Sequence, residues 1–116
     1  MLIGELAEKS GLPVDTIRFY EKKGLIGSAL IRRRSNNYRE YSDTSLERLL
    51  LIQQGKRLGF TLAEIQELIK DLESDQLTDT KKKSIILQKI EQIDERIEQL
   101  KTMRVYLSEK MERIGQ

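Results

Sequence analysis

Residues 3–24 read Ile3-Gly4-Glu5-Leu6-Ala7-Glu8-Lys9-Ser10-Gly11-Leu12-Pro13-Val14-Asp15-Thr16-Ile17-Arg18-Phe19-Tyr20-Glu21-Lys22-Lys23-Gly24. Ile3, Leu6 and Ala7 fall at the three- and four-residue spacing of one short helical face, and Gly11 closes that helix as a C-terminal breaker. Pro13 opens a second helix, where its missing N–H leaves no hydrogen bond unmade. Ile17 and Tyr20 continue the apolar spacing until Gly24 ends it. Two short helices joined by a glycine-containing turn predict a helix-turn-helix. Ala7 is the small residue that allows close approach, and Leu12, Val14 and Ile17 fill the space between the helices. On this segment alone the alternative is a plain helical hairpin.

Downstream, the character of the chain changes between Gly27 and Tyr41. Leu30 and Ile31 precede Arg32-Arg33-Arg34, then Ser35-Asn36-Asn37, then Tyr38-Arg39-Glu40-Tyr41. The Ser-Asn-Asn cluster is a turn signal, because asparagine tolerates the left-handed backbone of a tight hairpin. Tyrosines alternating with charged residues suit a strand with two unlike faces. The reading is a two-stranded wing with a basic tip. A run of three arginines is ordinarily a solvated loop; beside a helix-turn-helix and ahead of tyrosines it points to phosphate contact.

Ser42 is placed to cap a third helix over about residues 43–58, with Leu46, Leu49, Leu50 and Leu58 expected to face a core and Gly59 ending it. Thr61 and Glu64 form a capping box ahead of Ile65, Leu68, Ile69 and Leu72. Residues 74–80 are polar and rich in turn formers, and read as a linker. Beyond it Ile86, Ile90, Ile93, Ile97, Leu100, Arg104, Leu107, Met111 and Ile114 recur in alternating steps of four and three, with Arg104 the one polar member. About four such heptads predict a coiled coil. A head this small does not cover such a seam, so the helix needs a partner, most simply a second copy of the chain. The alternative is folding back onto its own head.

Composition narrows the function. Among 116 residues, 38% are hydrophobic and 34% charged, too charged for a membrane protein and too regularly apolar for disorder. The longest aliphatic run, Leu49–Ile52, is far short of a membrane span. Glu5 and Glu8 occupy the place where a signal peptide needs a basic start and an apolar stretch, so a cytoplasmic protein is expected. The chain has no cysteine and no histidine, so thiol redox chemistry, thiolate metal sites and imidazole general-base catalysis lack their atoms. No Gly-rich phosphate loop is present either. The expectation is a protein that is not an enzyme, with no cofactor and no metal. Residues 1–60 carry eleven Lys/Arg against seven Asp/Glu, whereas residues 61–116 carry ten against twelve. A basic head with an acidic tail fits a polyanion bound at one end.

Four segments in order resemble the MerR family of bacterial transcription regulators. Ile3-Gly4-Glu5-Leu6-Ala7 is similar to the family's opening helix, and Thr16-Ile17-Arg18-Phe19-Tyr20-Glu21-Lys22-Lys23-Gly24-Leu25-Ile26 to its recognition helix and exit. Tyr38-Arg39-Glu40-Tyr41 resembles the end of the wing, and Leu58-Gly59-Phe60-Thr61-Leu62-Ala63-Glu64-Ile65 the second helix pair. The resemblance implies a mostly α fold: a winged helix-turn-helix with a second helix pair and a long antiparallel coiled-coil helix. The expected organisation is a DNA-binding head over residues 1–73, a linker over 74–80 and a dimerisation helix over 81–116.

By the same resemblance Arg18, Tyr20, Tyr38, Arg39 and Lys56 match DNA-contacting positions, and one of Arg32 to Arg34, with Arg33 and Arg34 preferred, serves at the wing tip. Helix-turn-helix proteins present the second helix to the major groove while flanking cations and tyrosines hold phosphates, which agrees with that placement. Base reading then falls to Asp15 and Thr16 early in that helix, with Arg18 in reach. The carboxylate of Asp15 suits a cytosine amino group, or is simply a favourable first-turn charge. The resemblance further implies a homodimer on a pseudo-palindromic double-stranded promoter operator, bending and untwisting the DNA for RNA polymerase, with specificity partly from deformation energy.

This sequence departs from the metal-sensing members in three respects. Its wing is about two residues longer, with Asn37 where they usually have glycine. Their thiolate positions at the start of the long helix read Leu77-Thr78-Asp79-Thr80 here, and no loop follows the helix within these residues. No separate domain encloses a drug-sized ligand. Two further readings stay open: a MerR-like head whose coiled coil recruits a protein, and an excisionase-like DNA-bending factor, against which the seam from Ile86 to Ile114 argues.

Overall fold

Helix α1 (Ile3–Ser10) ends at Gly11, whose φ of 73° is a backbone conformation that a Cβ disfavours. The Gly11 N–H returns to the Ala7 carbonyl at 2.9 Å and the Leu12 N–H to the Ser10 hydroxyl at 3.2 Å, so the turn satisfies its own donors. Pro13 is the N-cap of α2 (Val14–Lys22), its carbonyl accepting from Thr16 and Ile17. The computed structural model describes residues 1–27, 31–33 and 39–115, with the side chains of Arg32 and Arg33 left aside. It divides into two units, Met1–Gln76 and Leu77–Gln116.

After α2, Gly24 at φ 76° reverses the chain and the Leu25 N–H returns to the Tyr20 carbonyl at 2.9 Å. That reversal drives Leu25 and Ile26 into the core, where both are buried. Strands β1 (Ile31–Arg33) and β2 (Arg39–Tyr41) then pair antiparallel, Ile31 opposite Tyr41 and Arg33 opposite Arg39. These are the two strands of the expected wing. The tip assigned to Arg34, Ser35, Asn36, Asn37 and Tyr38 lies outside the described residues.

The Ser42 hydroxyl caps α3 (Asp43–Arg57) by accepting from the Ser45 N–H at 3.3 Å. Thr61 and Glu64 cap α4 (Leu62–Glu73) reciprocally, at 3.1 and 2.9 Å. Between the two helices Gly55 permits close approach: a Cβ there would stand 3.2 Å from the Ile65 side chain. Three side chains tie elements across the head. Gln53 donates to the Ser10 carbonyl at 2.8 Å, Gln66 to the Lys23 carbonyl at 3.1 Å, and Arg48 to Glu73 at 2.7 Å. The core they surround comprises Leu6, Ile17, Tyr20, Leu25, Ile26, Tyr41, Leu49, Ile52, Ile65 and Ile69. Each of the large aliphatic members contributes about 1.5–3 kcal/mol of burial free energy.

The inward stripe of α3 differs from the expected one. Ser45, Arg48, Leu49 and Ile52 are buried, while Leu50 and Leu58 are exposed. Leu50 sits about 100° around the helix from Leu49, so an unbroken run of leucines supplies more apolar residues than one face accepts. Leu72 is likewise exposed at the end of α4.

The second unit is dominated by α5 (Asp79–Ile114), 36 residues and about 54 Å long. Thr78 caps it by accepting from the Lys81 N–H at 3.2 Å, which starts the helix two residues before the expected position 81. Ile86, Ile90, Ile93, Ile97, Leu100, Leu107, Met111 and Ile114 are all exposed. No helix among the described residues is long and apolar enough to cross a membrane.

Candidate nucleic-acid interface

The short helix α2 buries Ile17 and Tyr20 on one side, which turns Asp15, Arg18, Phe19, Lys22 and Lys23 outward. Arg18 and Lys22 are four residues apart and share a face, as do Phe19 and Lys23. The Lys23 ammonium stands 5.6 Å from the centre of the Phe19 ring. Asp15 and the half-buried Thr16 lie in the first turn. These are the positions from which a helix entering the major groove reaches base edges.

Strand β2 passes beside α2 and completes a concave surface of about 650 Å³, lined by Leu2, Ile3, Arg18, Glu21, Lys22, Arg39 and Tyr41. Its cations come from two elements: Arg18 and Lys22 from the helix, Arg39 from the strand. Glu21 receives the Arg39 guanidinium on one carboxylate oxygen and the Tyr41 hydroxyl, at 2.8 Å, on the other. Tyr41 is almost wholly buried, and its backbone N–H bonds to the Met1 carbonyl at 2.6 Å. Burial raises the Tyr41 phenol above its ordinary 10.0, while the positive charges of Arg39 and Arg18 pull it back down. The hydroxyl is therefore held neutral, as a donor to Glu21.

The expected contact residues separate into distinct groups. Arg18 and Arg39 come together in this concavity, and Asp15 and Thr16 sit on the same helix. Lys56 is exposed in the last turn of α3 and does not line it. Tyr20, expected at the DNA, lies one turn after Ile17 and packs into the core with 4% of its surface exposed. The exposed aromatic of this helix is its neighbour Phe19, 45% exposed. Arg33 is placed in β1 by its backbone alone, and Arg34 and Tyr38 lie outside the described residues.

Sequence reasoning gave no role to Lys22 or to the Glu21–Tyr41 bond. The four-residue spacing from Arg18 was a signal for Lys22. Nothing local signalled that Glu21 meets residues 18 and 20 positions further along the chain.

Comparison with known proteins places these features in a family. The family model described as MerR HTH family regulatory protein matches residues 1–72, and that described as MerR, DNA binding matches residues 46–110. The mercuric resistance operon regulatory protein of Bacillus cereus is 39% identical over 111 residues, covering 96% of this chain and 83% of its own length. The transcriptional regulator CueR of Salmonella typhi is 36% identical over 104 residues, covering 90% and 74%. Among solved structures, the regulator PbrR691 of Ralstonia metallidurans in complex with lead(II) superposes with a TM-score of 0.82 at 30% identity, covering 94% of this chain and 84% of that one. HiNmlR, a MerR family regulator lacking the sensor domain and bound to promoter DNA, gives 0.68 at 27% identity, covering 87% and 75%.

Proposed function

This chain belongs to the MerR family of helix-turn-helix transcription regulators, and we propose that it binds a pseudo-palindromic promoter operator as a homodimer. The observation that carries this reading is the cationic surface where Arg18 and Lys22 of α2 meet Arg39 of β2. In it α2 enters the major groove, with Thr16, Asp15 and Arg18 toward base edges. Arg39, Lys22, Lys56 and the wing residues Arg33, Arg34 and Tyr38 hold the backbone on either side. Tyr20 supports the helix from within the core.

The proposed dimer closes through α5. Its exposed seam from Ile86 to Ile114 is an apolar row on a charged helix, for which a second copy offers the same spacing in reverse. The head over residues 1–73 and helix α5 over Asp79–Ile114 thus carry separate tasks, with residues 74–78 between them. Two heads held at a fixed separation on one face of DNA favour bending and untwisting over uniform contact, and RNA polymerase at the promoter reads that deformation. No catalytic step enters this reading, and it is set in the cytoplasm. No thiolate takes part in any effector response by these residues, because the sequence has no cysteine.

Fluorescence anisotropy tests the proposal, with DNA from upstream of the protein's own gene, a scrambled duplex and a salt series. Preferential binding to one pseudo-palindrome, falling with salt but keeping its preference, is the expected outcome. Equal, salt-labile binding to both duplexes would favour a protein-recruiting role for the coiled coil.

A further inference from the structure

Glu21 is the sole acid among the described residues that line the cationic surface. A carboxylate facing phosphates would ordinarily repel them, yet this one is largely covered, with 14% of its side chain exposed. Both of its oxygens are engaged by β2, one by Arg39 and one by the Tyr41 hydroxyl. It leaves α2 one helical turn after Arg18, on the same face. Glu21 therefore joins the recognition helix to the wing strand at the point where the cations of the two elements converge. A guanidinium has five N–H donors in a fixed fork, so pairing on one side leaves others free to meet phosphate. The Arg39 side chain is 43% exposed, which keeps that outer edge open.

We propose that Glu21 is a positioning residue for DNA recognition: its carboxylate fixes the Arg39 guanidinium and strand β2 against α2, so that Arg18 at the base edges and Arg39 at the backbone meet the DNA at a set spacing. This rests on the reading that Arg18 and Arg39 face DNA. The buried Tyr41 hydroxyl orients the carboxylate from behind, as an outer partner orients a ligand-holding group. In the free protein the pair also keeps Arg39 from wandering, which lowers the entropy lost on binding.

The proposal and a purely electrostatic role differ in sign. Glu21→Gln keeps the shape and an acceptor for Tyr41 but removes one negative charge from the interface. If Glu21 were only a repelling charge, binding to every duplex would tighten. Positioning predicts that affinity for the preferred pseudo-palindrome falls about tenfold, the scale of one charge-assisted hydrogen bond, while scrambled DNA binds unchanged or tighter. Anisotropy titrations of both duplexes against the full-length wild type and E21Q read this directly, with thermal melting as the check on folding. Tightening on both duplexes, or unchanged affinity for the preferred one, overturns the proposal. Tyr41→Phe leaves both charges in place and removes only the orienting hydroxyl, so it decides the matter if E21Q does not fold. A loss of about threefold on the preferred duplex alone is expected for Y41F, and no loss there overturns the proposal. Wild-type protein with no preference between the duplexes would overturn the DNA-facing reading itself, before any variant is compared.

Discussion

In residues 1–76 the buried hydrophobic residues come from all four helices, from the turn after α2 and from β2, whereas in α5 the apolar row from Ile86 to Ile114 is exposed. The head closes its core because each short element gives one or two side chains and receives neighbours distant in sequence, as Leu6, Tyr41 and Ile69 do. A single straight helix has no such means, because its apolar stripe faces outward unless another surface covers it. The difference teaches where each unit's stability resides. The head's lies within one chain, and on the proposed dimer that of the long helix lies in an association, which makes it depend on protein concentration.

The largest effect should come from breaking the association while sparing the head. Ile97→Asp places a charge in the middle of the seam on both copies, a loss of about 3–5 kcal/mol or more. On the proposed dimer, sedimentation should find this variant monomeric and the wild type dimeric, with the head's melting unchanged. A dimer that persists would show the seam to be wrongly assigned. The converse substitution is Ile52→Ala, which opens a cavity in a fully buried site of α3. It should destabilise the head by about 2–5 kcal/mol in denaturant melts, with the helicity of α5 retained.

A third variant leaves both cores alone. Arg18→Gln should reduce affinity for the preferred duplex by about 1–3 kcal/mol, roughly fivefold to 150-fold, with the proposed dimer intact by sedimentation. Unchanged affinity would count against α2 as the reading helix. The smallest effect is expected at a helix boundary. Thr61→Ala removes the reciprocal cap of α4 and should lower stability by about 1 kcal/mol, seen as a shift in the melting midpoint with DNA preference retained.

Much of the architecture was legible because its signals are local. Gly11 and Gly24 ended helices at positive φ, Ser42 and Thr61 capped the helices that follow them, and the four-three spacing ran unbroken into α5. The errors fell where several local answers were equally good. Leu46, Leu49, Leu50, Leu51 and Ile52 crowd one stretch of α3, and only packing against α1 and α4 decides that Leu49 and Ile52 go inside. Tyr20 beside Phe19 posed the same choice, and the fold buries Tyr20 while Phe19 stays exposed. At the interface, Arg18 and Arg39 were legible as basic residues in the right order. The carboxylate that holds one of them was not.

The sequence by itself determined the kind of protein this is: helix-turn-helix spacing, a paired-strand wing, a capped second helix pair and an unsatisfied heptad seam, each written within a few neighbouring residues. Tertiary structure alone decided which ring and which leucines are buried, and that Glu21 joins α2 to β2. Backbone propensity and capping act over one turn of chain, whereas burial and the Glu21 bonds are set by residues that the fold brings together from 18 or more positions away.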